Sequence, residues 1–138
     1  MSLKEEDRRI MVELEWERVS RTLREMQIQL DNELWAMVAN RLYYALFHAV
    51  SALLISDHRE VGTHRGAVNR FHLFYVKPGI FTYEEGQLYS RLQSLRENGE
   101  YNCTIEISRD EAVEKIEPTQ LLIAKIRQYI FDKNTEMS

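Results

Sequence analysis

An arginine and a histidine lie seven residues apart in a segment that is otherwise apolar or aromatic at nearly every position. The segment is NRLYYALFHAVSALLI, residues 40–55, and the two residues are Arg41 and His48. A guanidinium is a forked, permanently charged donor that suits a phosphate. An imidazole takes up or releases a proton near neutral pH. The pair therefore indicates chemistry on a phosphate ester, provided that both side chains reach one site.

A helix over residues 33–56 would collect the polar side chains of this segment on one side. Each residue of an α-helix turns by about 100°, so one arc of about 100° holds them all. This polar arc consists of Glu33, Asn40, Arg41, Tyr44, His48 and Ser51. Apolar residues such as Leu42 and Leu46 fill the rest, and we predict that they are buried. A membrane span is disfavoured, because an arginine at bilayer depth costs about 2.5 kcal/mol or more.

Three interpretations of the polar arc are open. In the first, the arc is the solvated side of a buried helix, or a buried network in which Arg41 pairs with an acid from elsewhere in the chain. Alternatively, it is a self-complementary interface between two copies of the chain. In the third interpretation it is a phosphate site, where Arg41 and His48 act and Asn40 and Tyr44 orient the phosphate or base.

The composition predicts a soluble protein of one domain, residues 1–138. The chain is 44% hydrophobic and 29% charged, and it has few glycines and prolines, which favours long helices. A single cysteine, Cys103, provides neither a disulfide framework nor a CxxC pair, and we assign it no chemistry. The N-terminal residues are charged, unlike a signal peptide. We therefore expect a cytoplasmic protein.

Charge is unevenly distributed along the chain. Residues 34–81 have five Lys/Arg against two Asp/Glu, a net charge of +3, in a chain whose net charge is −4. The same stretch contains all four histidines. This pattern suits a localised anion site better than a general nucleic-acid surface, which would be basic overall. His64 and Arg65 begin the next predicted helix, where backbone N–H groups favour anions, so they are further candidates for binding; the alternative is a plain solvated helix end.

The other predicted helices cover residues 4–30, 64–76, 82–98 and 108–132. Ile10, Leu14, Val19, Leu23, Met26 and Leu30 are the predicted inward positions of the first helix. In the third, Val68, Phe71 and either Tyr75 or Val76 point inward, while His58 and His72 are expected at the surface. Together with residues 33–56, these segments predict an all-α, up-down bundle of about five helices.

Three local signals mark the ends of the later helices. Thr82 with Glu85, and Ser108 with Glu111, have the spacing of a capping box. Pro118 lies inside the last predicted helix, where it removes a hydrogen bond, so a kink or break is expected near Glu117. Residues 98–107 are predicted to form a loop or a short extended piece.

The run NRLYYALFHAVSALL resembles the second-helix motif of the HEPN family, the small α-helical domains of higher eukaryotes and prokaryotes named for nucleotide binding. The following GTHRGAVNRFHLFYVKPGIF is similar to the third helix and turn of that family. LRENGEY stands where many members have an arginine followed by a short Asp-Tyr motif. The resemblance covers about residues 8–131.

This resemblance implies a helical bundle that dimerises through the motif helix and its neighbours. Catalytic members are metal-independent ribonucleases in which four to six residues separate an arginine from a histidine, and Arg41-x6-His48 matches the longest spacing. Many members are toxins paired with an antitoxin, often beside a small nucleotidyltransferase. No cofactor and no metal are implied. A homodimer with its two-fold axis near the Arg41–His48 cleft would let two copies divide the acid and base roles.

The motif departs from the family pattern at one position. In catalytic members a polar residue follows the arginine, whereas here Leu42 follows and Asn40 precedes it. The helical projection places Leu42 in the core and Asn40 at the edge of the polar arc. Two functions are therefore weighed: an endoribonuclease, and a non-catalytic module that binds a nucleotide or a nucleotidyltransferase partner.

Overall fold

The computed structural model describes residues 4–101 and 106–136 as a bundle of helices. The helices are α1 (Glu5–Asp31), α2 (Trp35–Ser56), α3 (His64–Phe71), α4 (Tyr83–Tyr101), the short α5 (Arg109–Val113) and α6 (Ile116–Glu136). A π-helical turn, His72–Val76, continues α3. These ranges contain no strand, and the predicted all-α bundle is confirmed.

Helices α1 and α2 form an antiparallel hairpin. Residues 32–34 connect them, and Glu33 adopts a left-handed conformation with φ of 58°. Contacts between the two helices join residues ever farther apart along the chain, from Glu25 with Arg41 to Glu15 with His48 and Arg8 with the Ile55 carbonyl. Glu33 therefore belongs to the turn, which corrects its predicted place in the polar arc.

Helix α2 is the centre of the bundle, and α1, α3, α4, α5 and α6 all pack against it. Leu42 and Leu46 have no exposed surface, as predicted from the helical projection. By length and composition α2 could cross a membrane, but 72% of its most apolar window is buried inside the bundle. A core helix with most of its surface covered by other helices requires an apolar sequence of this kind.

The inward face of α1 differs from the prediction. Its buried residues are Glu15, Val19, Thr22 and Met26. Ile10 and Leu14, which we expected inside, are 49% and 43% exposed. The helix is rotated so that Glu15 meets His48 of α2, and this rotation turns Ile10 and Leu14 outward.

The predicted capping box at Thr82 is confirmed, and the one at Ser108 is confirmed in its N-cap bond, while the Glu111 carboxylate pairs with Arg91 and Lys115. The Glu85 carboxylate accepts from the Thr82 N–H at 2.7 Å, and the Thr82 hydroxyl accepts from the Glu85 N–H at 3.1 Å. The Ser108 hydroxyl likewise accepts from the Glu111 N–H. Helix α5 ends at Val113 and α6 begins at Ile116, which puts Pro118 in the first turn of α6. A proline is tolerated there because first-turn N–H groups have no partner within the helix.

Two stretches of the chain differ from the prediction. Helix α4 runs to Tyr101 rather than ending near Asn98, and residues 102–105, with Cys103, lie outside the described residues. In the π-helical turn the Lys77 N–H donates to the His72 carbonyl, five residues back. His72 is half-buried and hydrogen-bonds with Ser90 of α4, so its predicted place at the surface is wrong.

Candidate functional site

The Arg41 guanidinium lies over the Tyr44 ring and donates hydrogen bonds to Glu25 and Asn40. Its Nη1 donates to a carboxylate oxygen of Glu25 at 3.0 Å. Its Nε and Nη2 donate to the Asn40 side-chain oxygen at 3.1 and 2.7 Å. The guanidinium carbon is 5.0 Å from the ring centroid of Tyr44. With a quarter of its side chain exposed, Arg41 is held in place and remains within reach of a ligand.

His48 is held by a carboxylate from α1. Its Nδ1 is 2.8 Å from an oxygen of Glu15, whose side chain is only 11% exposed. The second Glu15 oxygen accepts from Arg18, so both oxygens of the buried carboxylate are in use. Because a carboxylate oxygen accepts, Nδ1 donates in this contact, and the lone pair of a neutral imidazole falls on Nε2. No residue within the described ranges hydrogen-bonds to Nε2.

Tyr44 links α2 to α4 and to the start of α3. Its hydroxyl accepts from Arg96 Nε at 3.2 Å, and its ring meets the His64 ring edge-on at 5.6 Å between centroids. His64 also packs edge-on against Phe47 at 4.5 Å. His64 therefore packs against the rings of Tyr44 and Phe47. His64 and Tyr44 are both among the predicted binding residues.

Arg65, the other predicted binding residue on α3, lies farther out. Its side chain is 73% exposed and pairs with Glu97 of α4 at 3.1 Å. Ser51, at the far end of the predicted arc, is buried and donates to the Phe47 carbonyl. Among the described residues, neither side chain forms a hydrogen bond or an ion pair with Arg41 or His48.

Four residues of α2 thus form a strip between α1 and α4. This site strip consists of Asn40, Arg41, Tyr44 and His48. Acids of α1 hold its arginine and its histidine, and Arg96 of α4 holds its tyrosine. Of the three open interpretations, the pairing of Arg41 with an acid is present, and the strip still exposes part of each functional side chain.

The sequence matches the model of the HEPN domain over residues 12–129. The chain belongs to the HEPN family. The match spans most of the hairpin, the site strip and most of α6, so it includes Arg41 and His48.

Several HEPN relatives are similar over most of their length. A "UPF0332 protein" of Thermotoga maritima is 31% identical over 118 residues, covering 85% of this chain and 89% of the relative. "Putative toxin MJ0142" of Methanocaldococcus jannaschii is 26% identical, covering 86% of this chain and 80% of the relative. "Putative toxin MJ0605" of the same organism is 26% identical, covering 74% of this chain and 75% of the relative.

Three residues of the candidate site were not predicted from the sequence: Glu15, Glu25 and Arg96. Glu15 had a detectable signal, because it is spaced by three or four residues from Val12 and Val19, on the face that the core needs. An acid at such a position requires a partner when buried. Arg96 lies within the LRENGEY motif but was not assigned to the site. Glu25 had no signal in the sequence.

No group of three or more His, Cys, Asp or Glu side chains that could hold a metal ion occurs within residues 4–101 and 106–136.

Proposed function

We propose that this HEPN protein is a metal-independent endoribonuclease of the toxin type. The observation that carries the proposal is the Glu15–His48 contact of 2.8 Å next to Arg41 on the same strip. A histidine whose Nδ1 is held by a carboxylate presents Nε2 in a fixed direction, as in other sites where histidine acts as a base. Two relatives that bear the name of a toxin support the biological class.

In the proposed reaction His48 acts as the general base. Its Nε2 takes the proton of a ribose 2′-hydroxyl, and the 2′-oxygen forms a bond with the adjacent phosphorus. The bond from phosphorus to the 5′-oxygen of the next nucleotide breaks, and that oxygen takes up a proton from water. The products are a 2′,3′-cyclic phosphate and a 5′-hydroxyl. Glu15 stabilises the imidazolium that forms and does not itself contact RNA.

Arg41 stabilises the negative charge that develops on the phosphate oxygens. Its forked guanidinium can offer two N–H groups to one phosphate, an arrangement that a lysine cannot match. In the free protein these groups are occupied by Glu25 and Asn40, which keep the guanidinium positioned over the strip. A phosphate would exchange places with these partners. Tyr44 and His64 provide aromatic surface on which a base can stack.

A second candidate function is a non-catalytic module that binds a nucleotide or a nucleotidyltransferase antitoxin. A specific observation favours it: Leu42, which follows the motif arginine, has no exposed surface and supplies no polar group to the strip. In that case Arg41 and its neighbours would hold a phosphate without cleaving it.

The test is incubation of the purified protein with labelled RNA in the presence of EDTA. We expect cleavage by the wild type and a loss of about 100-fold or more in His48→Ala, the usual contribution of a general base. His58→Ala is the matched control, because His58 is an exposed histidine (54% of its side chain) that pairs with Glu5, away from the strip. Its activity should equal that of the wild type.

Binding separates the two candidates if no RNA is cut. Fluorescence anisotropy with a labelled nucleotide or RNA would then show binding that Arg41→Ala weakens, which supports the module and overturns the nuclease. Equal cleavage by the wild type and His48→Ala would also overturn the nuclease. Growth arrest on induced expression, relieved by His48→Ala or by a co-expressed nucleotidyltransferase, would support the toxin role.

A further inference from the structure

A cavity lies at one end of the bundle, where the start of α1 meets the ends of α2 and α6. Its volume is about 640 Å³, which is within the range of pockets that hold small molecules. Arg8, Arg9 and Val12 of α1, Ser56 of α2 and Asn134 of α6 are among the residues that line it. We call it the end cavity.

The end cavity is separate from the site strip. Arg9 lines the cavity, and Arg18 pairs with the Glu15 carboxylate beside the strip. These two arginines are nine positions apart on α1, and since each residue turns by about 100°, their side chains leave the helix in opposite directions. A ligand in the cavity would therefore not compete for Arg41 or His48.

The two acids of the end cavity are already paired within the chain. Glu5 accepts from His58 at 2.8 Å and from Arg8 at 3.4 Å. Asp57 accepts from Lys133. Each carboxylate thus faces a basic group of the chain, so the cavity favours an anionic ligand over a cation.

The backbone of His58 supports the view that this wall of the cavity is specifically formed. His58 follows the C-cap of α2 and adopts a left-handed conformation with φ of 62°. Glycine is the residue that usually occupies such a position after a helix, because a side chain is strained there. The histidine at this position holds the Glu5 carboxylate with its ring, which glycine could not do.

Two arginines of the end cavity have donors that the chain does not use. The Arg8 side chain is only 12% exposed, and its Nη1 donates to the Ile55 carbonyl at 3.0 Å. Its Nη2 has no hydrogen-bond partner within residues 4–101 and 106–136. Arg9 is exposed and forms neither an ion pair nor a hydrogen bond with the part of the chain that the structure describes. Guanidinium groups placed in this way are suited to bind an anion.

The end of α2 does not repel an anion as a bare helix end would. The last carbonyl groups of a helix carry a partial negative charge. Here the Ile55 carbonyl accepts from the Arg8 side chain and from the His58 N–H, and the Leu54 carbonyl accepts from the Arg59 N–H at 2.8 Å. Donors of the chain therefore offset the negative end of this helix.

The neutral residues of the end cavity indicate what the anion carries. The Ser56 hydroxyl and the Asn134 amide line the cavity, and neither makes a side-chain hydrogen bond to the described residues. These groups suit a ligand with hydroxyls. No Phe, Tyr or Trp ring among the described residues lines the cavity, so it lacks the surface on which a nucleobase would stack.

We propose that the end cavity binds a small phosphate monoester of the sugar-phosphate class. A phosphate monoester has three terminal oxygens and a charge of about −1.5 to −2, so it suits two guanidinium groups better than a carboxylate does. Its phosphate accepts from Arg9 and from Nη2 of Arg8, and its hydroxyls pair with Ser56 and Asn134. The proposal does not depend on RNA cleavage, because no residue of the site strip takes part.

The test is isothermal titration calorimetry of the full chain with ribose 5-phosphate, without RNA. All titrations use the Arg41→Ala background, which removes the phosphate ligand of the site strip. We expect binding at one site, weakened by about tenfold or more when Arg9→Gln is added, because charge-assisted hydrogen bonds are lost. Arg21→Gln is the matched control: Arg21 is exposed on α1 and does not line the cavity, so the affinity should stay unchanged. Circular dichroism checks that each variant stays helical.

Further probes test the class of ligand. Ribose without a phosphate should not bind, and AMP should bind no more tightly than ribose 5-phosphate, since the cavity offers its base no ring. Asn134→Ala should weaken the binding of ribose 5-phosphate but not that of inorganic phosphate.

Three results would overturn the proposal. They are no binding of ribose 5-phosphate, equal binding by the Arg9→Gln and Arg21→Gln variants, and equal binding of ribose and ribose 5-phosphate. Tighter binding of AMP would overturn the assignment to a ligand without a base.

Discussion

The two sides of α2 are buried by different means. On the core side Leu42 and Leu46 are enclosed by apolar neighbours and have no exposed surface. On the strip side Arg41 and His48 are covered by carboxylates of α1 and keep 25% and 20% of their side chains exposed. An apolar contact no longer stabilises the folded protein when water replaces the partner, whereas a carboxylate can be exchanged for another anion such as a phosphate. Helix α2 thus packs into the apolar core on one side, and on the other side it forms polar contacts that a ligand can replace.

A second polar cluster, at the end of α2, shows that an ion pair alone does not make a site. The Asp57 carboxylate accepts from the Tyr75 hydroxyl at 2.6 Å and from Lys133 at 2.5 Å, and its side chain is only 5% exposed. Both of its carboxylate oxygens therefore have a partner within the chain. We regard this cluster as structural, because accessibility, and not charge, separates it from the site strip.

The largest effect is expected on the core side of α2. Leu46→Ala should lower the free energy of unfolding by about 2–5 kcal/mol, through the lost transfer energy and the cavity that remains. A urea titration with a circular-dichroism readout measures it, with exposed Leu121→Ala as control. A loss below about 1 kcal/mol would mean that Leu46 does not face a packed core.

An intermediate effect is expected at the end of α2. Asp57→Ala removes the acceptor of the buried Tyr75 hydroxyl and should cost about 2 kcal/mol at neutral pH. Asp132→Ala, an exposed acid on α6, is the matched control and should cost much less. If both variants unfold at the wild-type urea concentration, the cluster is not structural.

The same substitution should also change how stability depends on pH. The hydrogen bond with Asp57 raises the pKa of Lys133 above its ordinary value of 10.5, although burial opposes this. A raised pKa in the folded state stabilises the protein fully below 10.5, and this contribution is lost as the pH rises through the higher folded value. Urea midpoints between about pH 10 and pH 12 should therefore fall more steeply for the wild type than for Asp57→Ala. Equal slopes would contradict this account.

The smallest change in stability is expected on the strip. Arg41→Ala removes an ion pair with Glu25, which is itself 44% exposed, so the free energy of unfolding should change by less than about 1 kcal/mol. RNA or nucleotide binding, measured by anisotropy, should weaken nonetheless, and more strongly at low salt. A large loss of stability without a change in binding would mean that Arg41, like Asp57, has a structural role.

The fold was predictable from the sequence where its cause is local. The Thr82–Glu85 capping box, the N-cap bond of Ser108 and the break before Pro118 depend on residues within four positions of each other, and the structure contains all three. The buried side of α2 was equally clear, because a strongly apolar helix with one polar arc permits only one orientation.

The orientation of α1 could not be obtained in the same way. Its apolar residues are spread around the helix, and Ile10 and Leu14 fit a helical period as well as the true core residues do. What decides the orientation is the contact of Glu15 with His48, between residues 33 positions apart. For the same reason, only part of the candidate site could be predicted from the sequence. Arg41 and His48 were selected by their spacing, but their acidic partners depend on how two helices pack.

The antiparallel hairpin of α1 and α2 bears on the order in which the chain folds. Glu25 and Arg41 are 16 positions apart, and Glu15 and His48 are 33 apart, so both contacts close loops inside the first half of the chain. Doubling a loop adds only about 0.6 kcal/mol of closure entropy, so the second contact is scarcely harder to form than the first. The Glu15–His48 and Glu25–Arg41 contacts can therefore form while α4 and α6 are still being synthesised. The later helices then pack against the apolar side of α2.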